Sequence, residues 1–257
     1  MSVAQSGLQI IPLTRIPMVE ANDDLGTVVI DAMRKQQLVF ADQDVLVIAQ
    51  KVVSKAENRL VPLDEVAVSE RASKLAIELD KDARLVELIL RESSAIIRKA
   101  PGVIIVRHKL GLVCANAGID QSNVDHKDGE VALLLPEDPD ASADSLRAGL
   151  EAASGKQLAV VICDSVNRPW RVGTIAMSIG SAGISPLDDR RGQADTFGRT
   201  LAVTMSNVVD SVATAASLVM GETTENIPAV IVRGLSVGDS ARNSSDCVRP
   251  TNEDLFL

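Results

Sequence analysis

Apolar and polar positions fall in blocks along this chain, and the blocks predict strands interleaved with helices. Leu8 to Leu13 reads as a short strand, closed by turn chemistry around Pro12 and Pro17. Asn22, Asp23 and Asp24 supply a cap and first-turn acids for a helix to about Gln37, with Leu25, Val28, Val29, Ala32 and Met33 on one face. Val45 to Ala49 is a continuous apolar run of the buried-strand kind. Ser69 to Asp80 and Asp82 to Ser93 both carry helical spacing, and Val103 to Val106 and Leu112 to Ala115 form a hairpin through Lys109, Leu110 and Gly111. Ala141 to Ala153 reads as a helix leading to a strand that ends on Asp164. Ser206 to Met220 is apolar nearly all round, the pattern of a buried core helix closed by Gly221, and Pro228 to Val232 is a last buried strand before a polar tail.

Two places break this pattern with chemistry. After Val113 the strand opens into Asn116, Gly118, Asp120, Gln121, Ser122 and Asn123, which is either a site at a strand end or an ordinary Asn/Gly/Asp turn. The run Val160 to Cys163 likewise ends on a carboxylate and a hydroxyl, Asp164 and Ser165. Lys51 and Lys55 follow the buried run at 45–49 and suit a phosphate there, although a lone lysine is usually solvated. Gly149, Gly155 and Lys156 imitate a phosphate loop but fail it: the spacing is one residue too long, Gln157 replaces the needed hydroxyl, and the order is helix to strand.

Composition narrows the chemistry. A net charge of −9 argues against a partner held through nucleic-acid phosphate, and 2% aromatic residues argue against base stacking. Residues 120–151 hold nine acidic side chains against two basic ones, most of the excess charge. Residues 164–199 instead carry Arg168, Arg171, Arg190, Arg191 and Arg199, either forked contacts for phosphate or carboxylate, or surface ion pairs. Three scattered cysteines without a Cys-x-x-Cys pair support neither a disulfide framework nor zinc, and fit a cytoplasmic protein. No signal segment or membrane-length apolar run is expected. Two histidines are too few for a histidine metal cluster or a convincing Ser-His-Asp set, so a metal would need oxygen donors. Asp120, Asp164, Ser165 and Glu222 offer them, and such ligation suits Mg²⁺ or Mn²⁺ sharing substrate phosphates. These parts together describe phosphoryl transfer from a nucleotide.

Lys51–Glu57, Arg91-Glu92-Ser93, Val113–Val124, Leu134–Ala143, Arg168-Pro169-Trp170-Arg171, Phe197-Gly198-Arg199 and Arg233-Gly234-Leu235 resemble, in order and over essentially the whole chain, the coenzyme F420-0:L-glutamate ligase family. The resemblance implies a single ligase domain over 1–257, without a fused nitroreductase domain. It implies a mixed α+β, non-Rossmann fold of two subdomains in an intertwined homodimer. The implied activity is GTP-dependent addition of L-glutamate to the F420 precursor, with Mg²⁺ or Mn²⁺ in a two-metal site and K⁺ as an aid. Carried over by position, the metal ligands correspond to Asp120, Asp164, Ser165 and Glu222. The nucleotide contacts correspond to Ile16, Pro17, Met18, Val19, Gln50, Lys51, Lys55, Asn123 and the loop Met220, Gly221, Glu222, Thr223, Thr224, Glu225, Asn226 and Ile227. Asp120, Asp164 and Lys55 are the catalytic candidates, with Lys55 and arginines spreading phosphate charge. Ser165 stands where the family commonly has Thr. A related ligase on another phosphorylated acceptor, a metal-dependent phosphohydrolase and a non-catalytic nucleotide-binding module are the alternatives.

Overall fold

The computed structural model describes residues 7–254 except Asp125, Asp128, Val237 and Asp239. In chain order the strands and helices are β1 (Gln9–Pro12), α1 (Leu25–Lys35), β2 (Asp44–Ala49), α2 (Gln50–Ala56), β3 (Leu60–Pro62), α3 (Glu70–Leu79), α4 (Ala83–Arg91), β4 (Ser93–Ala100), β5 (Val103–His108) and β6 (Val113–Ala115). There follow β7 (Val131–Leu133), α5 (Pro139–Ser154), β8 (Leu158–Asn167), β9 (Thr174–Ala182), β10 (Leu187–Asp189), β11 (Met205–Asn207), α6 (Val208–Met220) and β12 (Ala229–Arg233). The helices begin where short polar side chains satisfy free amides: Asp24 accepts from Gly26 and Thr27, Asp138 from Ala141, and Asn207 from Asp210.

The main sheet has the order β1-β12-β2-β8-β9, in which β2 and β8 run parallel and the other pairs antiparallel. Alternation of side chains across a strand sends Leu46, Ile48, Val160, Ile162 and Ile231 to one face, against Val29 and Met33 of α1 and Leu146 and Leu150 of α5. The opposite face carries Val45, Val47, Ala159, Val161 and Val230 against Val209, Val212 and Ala216 of α6. With helices on both faces, the central strands have no side on which to place polar residues. Their continuous apolar runs follow from that.

A second set of elements packs around its own core. The sheet β4-β5-β6 buries Ile104 and Val106 against Ala72, Ala76 and Leu79 of α3 and Val86 and Ile89 of α4. β3 pairs with β7, and β10 with β11.

The mixed α and β organisation agrees with the sequence pattern, and four details differ. β8 continues to Asn167 past Asp164, although its buried part stops at Cys163. The Gly-containing stretch before residue 183 forms β9, and Gly180 is needed there because a Cβ would fall on the Pro139 backbone of α5. β4 forms from residues that show no clear apolar alternation. α6 is buried only toward the sheet, leaving Leu218 83% exposed on its outer side. Trp170, Val172, Phe197 and Val203 also face solvent. Among the described residues no helix is long and apolar enough to cross a membrane.

Candidate functional site

Three chain reversals bring the polar side chains together. β2 passes directly into α2 at Gln50, so Gln50, Lys51 and Lys55 stand just beyond the end of a buried strand. The parallel register of β2 and β8 sets Ala49 opposite Cys163, which makes Asp164 a neighbour of that turn. β6 ends in a one-turn 3-10 segment where Asn116, Ala117 and Gly118 all take positive φ, at 52°, 57° and 67°. That tight reversal delivers Asp120, whose backbone exchanges hydrogen bonds with Leu133 of β7 at 3.0 and 2.8 Å. α6 ends at Gly221 in a conformation with φ of 72°, and the loop beyond it supplies Glu222.

The result is a cavity of about 530 Å³ lined by Asp120, Asp164, Ser165, Glu222, Lys51 and Lys55. Its wall also includes Ile16, Pro17, Met18, Val19, Gln50, Asn123, Met220, Gly221, Thr223, Glu225, Asn226 and Ile227. Thr224 alone among the candidate residues does not line it; its carbonyl instead accepts a 3.1 Å bond from Asn226 Nδ2. The five arginines at 168–199 do not line it either. Arg190 and Arg191 pair with Asp188 and Asp189 at 2.7 and 2.5 Å, so for these two the surface ion-pair reading holds. The positive charge of the cavity wall comes from Lys51 and Lys55, without the expected arginines.

Lys51 Nζ lies 2.6 Å from Asp120 Oδ2 and donates to Ser122 Oγ at 2.8 Å, while the Ser122 amide donates to Asp120 Oδ1 at 2.6 Å. Burial works to raise the Asp120 pKa, but Lys51 and Ser122 outweigh it and hold the carboxyl below its ordinary value. Asp164 has no such ion pair among the described residues. Burial pushes it up to about 6; the Ser165 amide, Lys51 and Gln50 pull it down, while the charge of Asp120 adds to the rise. Ser165 Oγ donates toward both carboxylate oxygens of Glu222 at 2.9 Å. Lys55 Nζ donates to the Asn123 carbonyl at 2.9 Å. Burial and nearby carboxylates push the Cys163 thiol up to about 12, so it is not a nucleophile at neutral pH.

The donor set is hard oxygen: three carboxylates and a hydroxyl, with charge on Asp120 and Asp164 that Lys51 alone does not balance. It fits a divalent cation of the Mg²⁺ or Mn²⁺ kind. Among the described residues no three His, Cys, Asp or Glu side chains converge tightly enough to enclose a metal by themselves.

Ser122, read from the sequence only as part of the polar stretch after Val113 and given no role of its own, anchors the Lys51–Asp120 pair. The signal for it is the Asp-x-Ser spacing of an Asx-turn, in which a carboxylate accepts from the amide two residues on.

A family model described as F420-0:Gamma-glutamyl ligase matches residues 14–234. Curated relatives named Coenzyme F420:L-glutamate ligase include those of Methanothermobacter thermautotrophicus, 43% identical over 97% of this chain and 99% of the relative, and Methanopyrus kandleri, 40% identical over the same shares. That of Archaeoglobus fulgidus is 39% identical over 97% of this chain and 96% of the relative.

Proposed function

The chain belongs to the F420-0:Gamma-glutamyl ligase family and is a ligase of coenzyme F420 biosynthesis; we propose that it couples GTP to glutamate addition at the cavity built on Asp120 and Asp164. The observation that carries this reading is the convergence of Asp120 from the reversal after β6, Asp164 from β8 and Glu222 from the loop after α6 on one cavity whose wall also presents Lys51 and Lys55. An unactivated carboxylate does not accept an amine in water, because its oxygen is a poor leaving group. Attack of the precursor's carboxylate oxygen on the γ-phosphorus forms a C–O–P bond, breaks the bond to the β-phosphate and releases GDP. The amine of L-glutamate then attacks the acyl carbon, forms the amide, loses a proton and expels phosphate. Repetition on the new γ-carboxylate extends the tail.

Within this scheme Lys55 and Lys51 carry the cationic charge that meets phosphate oxygens. Asp120, Asp164, Ser165 and Glu222 would hold Mg²⁺ or Mn²⁺, which supplies neutralisation of the triphosphate charge when bound. Asp120 also holds Lys51 in place, and the loop from Gly221 to Ile227 with Ile16–Val19 forms the nucleotide wall. K⁺ would assist as a monovalent counter-ion. The apolar side chains of Trp170, Val172, Phe197 and Val203, all more than four-fifths exposed, support a homodimer in which a second copy covers them.

The deciding experiment is mass spectrometry of product formed with GTP, Mn²⁺, L-glutamate and the precursor, omitting each in turn. Product heavier by one or more glutamyl units only in the full mixture supports the ligase. GDP released without precursor or glutamate would replace it with a phosphohydrolase.

A further inference from the structure

Resting on the ligase reading, we propose that Ser122 is a positioning residue: its hydroxyl commits the Lys51 ammonium to Asp120 instead of Asp164, and so aims the charge of that lysine in the cavity. Two carboxylates feel this charge, Asp120 in direct contact and Asp164 beyond it. The long, flexible stem of a lysine does not choose between them. Nor does one ion pair fix the direction of an ammonium, which turns about a single contact and keeps two further donors. A second fixed acceptor removes that freedom.

The turn that carries Asp120 places Ser122 to be this acceptor. The Ser122 amide donates to Asp120 Oδ1 at 2.6 Å, the closure of an Asx-turn that folds residue 122 back beside the carboxylate. Ser122 Oγ then accepts from Lys51 Nζ at 2.8 Å, while Asp120 Oδ2 lies 2.6 Å from the same nitrogen. The Ser122 carbonyl stands farther off, at 3.5 Å. Lys55, one turn on along α2, supplies the contrast. It donates to the Asn123 carbonyl at 2.9 Å, a backbone acceptor that any residue at 123 would provide. The contact of Lys51 with Oγ instead depends on the side chain at 122. A neutral hydroxyl makes it without adding to the negative charge of the cavity. Because Oγ is separate from the carboxylate, it also keeps Lys51 at this wall when the Asp120 oxygens take up a cation.

The test follows the Cε methylene of Lys51 by nuclear magnetic resonance in the full chain, its signals recognised by their loss in Lys51→Met. The two methylene protons are inequivalent while the ammonium is held in one direction, and they converge when it turns freely. Ser122→Ala removes Oγ but leaves the amide that fixes Asp120, and in it the two signals should converge. Ser122→Thr keeps a hydroxyl and should retain the separation, and Asp164→Asn should leave it intact. A separation unchanged in Ser122→Ala, or lost in Asp164→Asn, would overturn the proposal.

Turnover gives a second readout. Ser122→Ala should lower kcat/KM roughly 10-fold, the scale of a displaced contact in an active site. It should cost nothing further in a Lys51→Met background, because a residue that acts through another adds nothing once the other is gone. Losses that multiply would overturn the proposal. Absence of glutamylated product from the unmodified protein would instead sink the ligase reading, while the Lys51 signals still decide the role of Ser122.

Discussion

Lys51 and Asp120 meet at 2.6 Å, joining the first turn of α2 to the loop that leaves β6. The pair fixes the Asp120 carboxylate with the aid of Ser122, whereas Asp164 has no ion pair among the described residues. Replacing Asp120 by Asn keeps the shape and removes the charge. Turnover should fall by about 100-fold or more, with the far-UV circular dichroism unchanged. Near-normal kcat in Asp120→Asn would remove Asp120 from the site.

Chelation should act on the same carboxylates. Turnover should vanish in excess EDTA and return with Mg²⁺ or Mn²⁺, because a hard-oxygen site discriminates by ligand type and geometry. Unchanged product formation after dialysis against EDTA would take the divalent ion out of the proposed reaction.

Glu92, at the end of α4, gives an acid-stability prediction away from the cavity. His108 at 3.7 Å leads in holding its pKa below 4.5; burial opposes the shift, and Lys109 at 3.4 Å and Arg59 at 3.1 Å reinforce it. A carboxyl whose folded pKa is depressed contributes stability that is present above its unfolded pKa and lost as pH falls through the folded one. Glu92→Gln should therefore lower stability at pH 7 by about 1–3 kcal/mol. The difference from the unmodified protein should shrink below pH 4.5, as followed by urea unfolding. A gap that stays constant down to pH 3 would refute the assignment.

The exposed apolar side chains bear on assembly. In the proposed homodimer, Trp170→Asp with Phe197→Asp places charges on the covered apolar surface, and the expected outcome is a shift from dimer to monomer in sedimentation velocity. An unmodified protein that sediments as a monomer at tens of micromolar would dispose of the homodimer.

What could be read from the sequence was local. The cap at Asp24, the amphipathic faces of α1 and α4 and the apolar runs of β2 and β12 are written in residue type and spacing, because capping and side-chain periodicity act over a few residues. The carboxylates Asp120 and Asp164 stood out for the same reason, as polar residues where an apolar run stops. β9 was not legible. Its buried Ser178 and Ser181 look like loop residues until Ser178 Oγ meets Ser244 Oγ at 2.5 Å and the Ser181 amide donates to Asp140 at 2.8 Å.

The arginines show the same limit from the other side. Their density suggested phosphate contacts, but Arg190 and Arg191 are satisfied by acids two residues away. By itself the sequence determined an α and β chain with a buried central sheet and acidic residues at the ends of apolar runs. Tertiary structure alone decided that β2 and β8 lie parallel in register and that Lys51 closes on Asp120. Those relationships depend on which distant segments pack together, and packing is settled by the fit of whole faces, which no window of neighbouring residues contains.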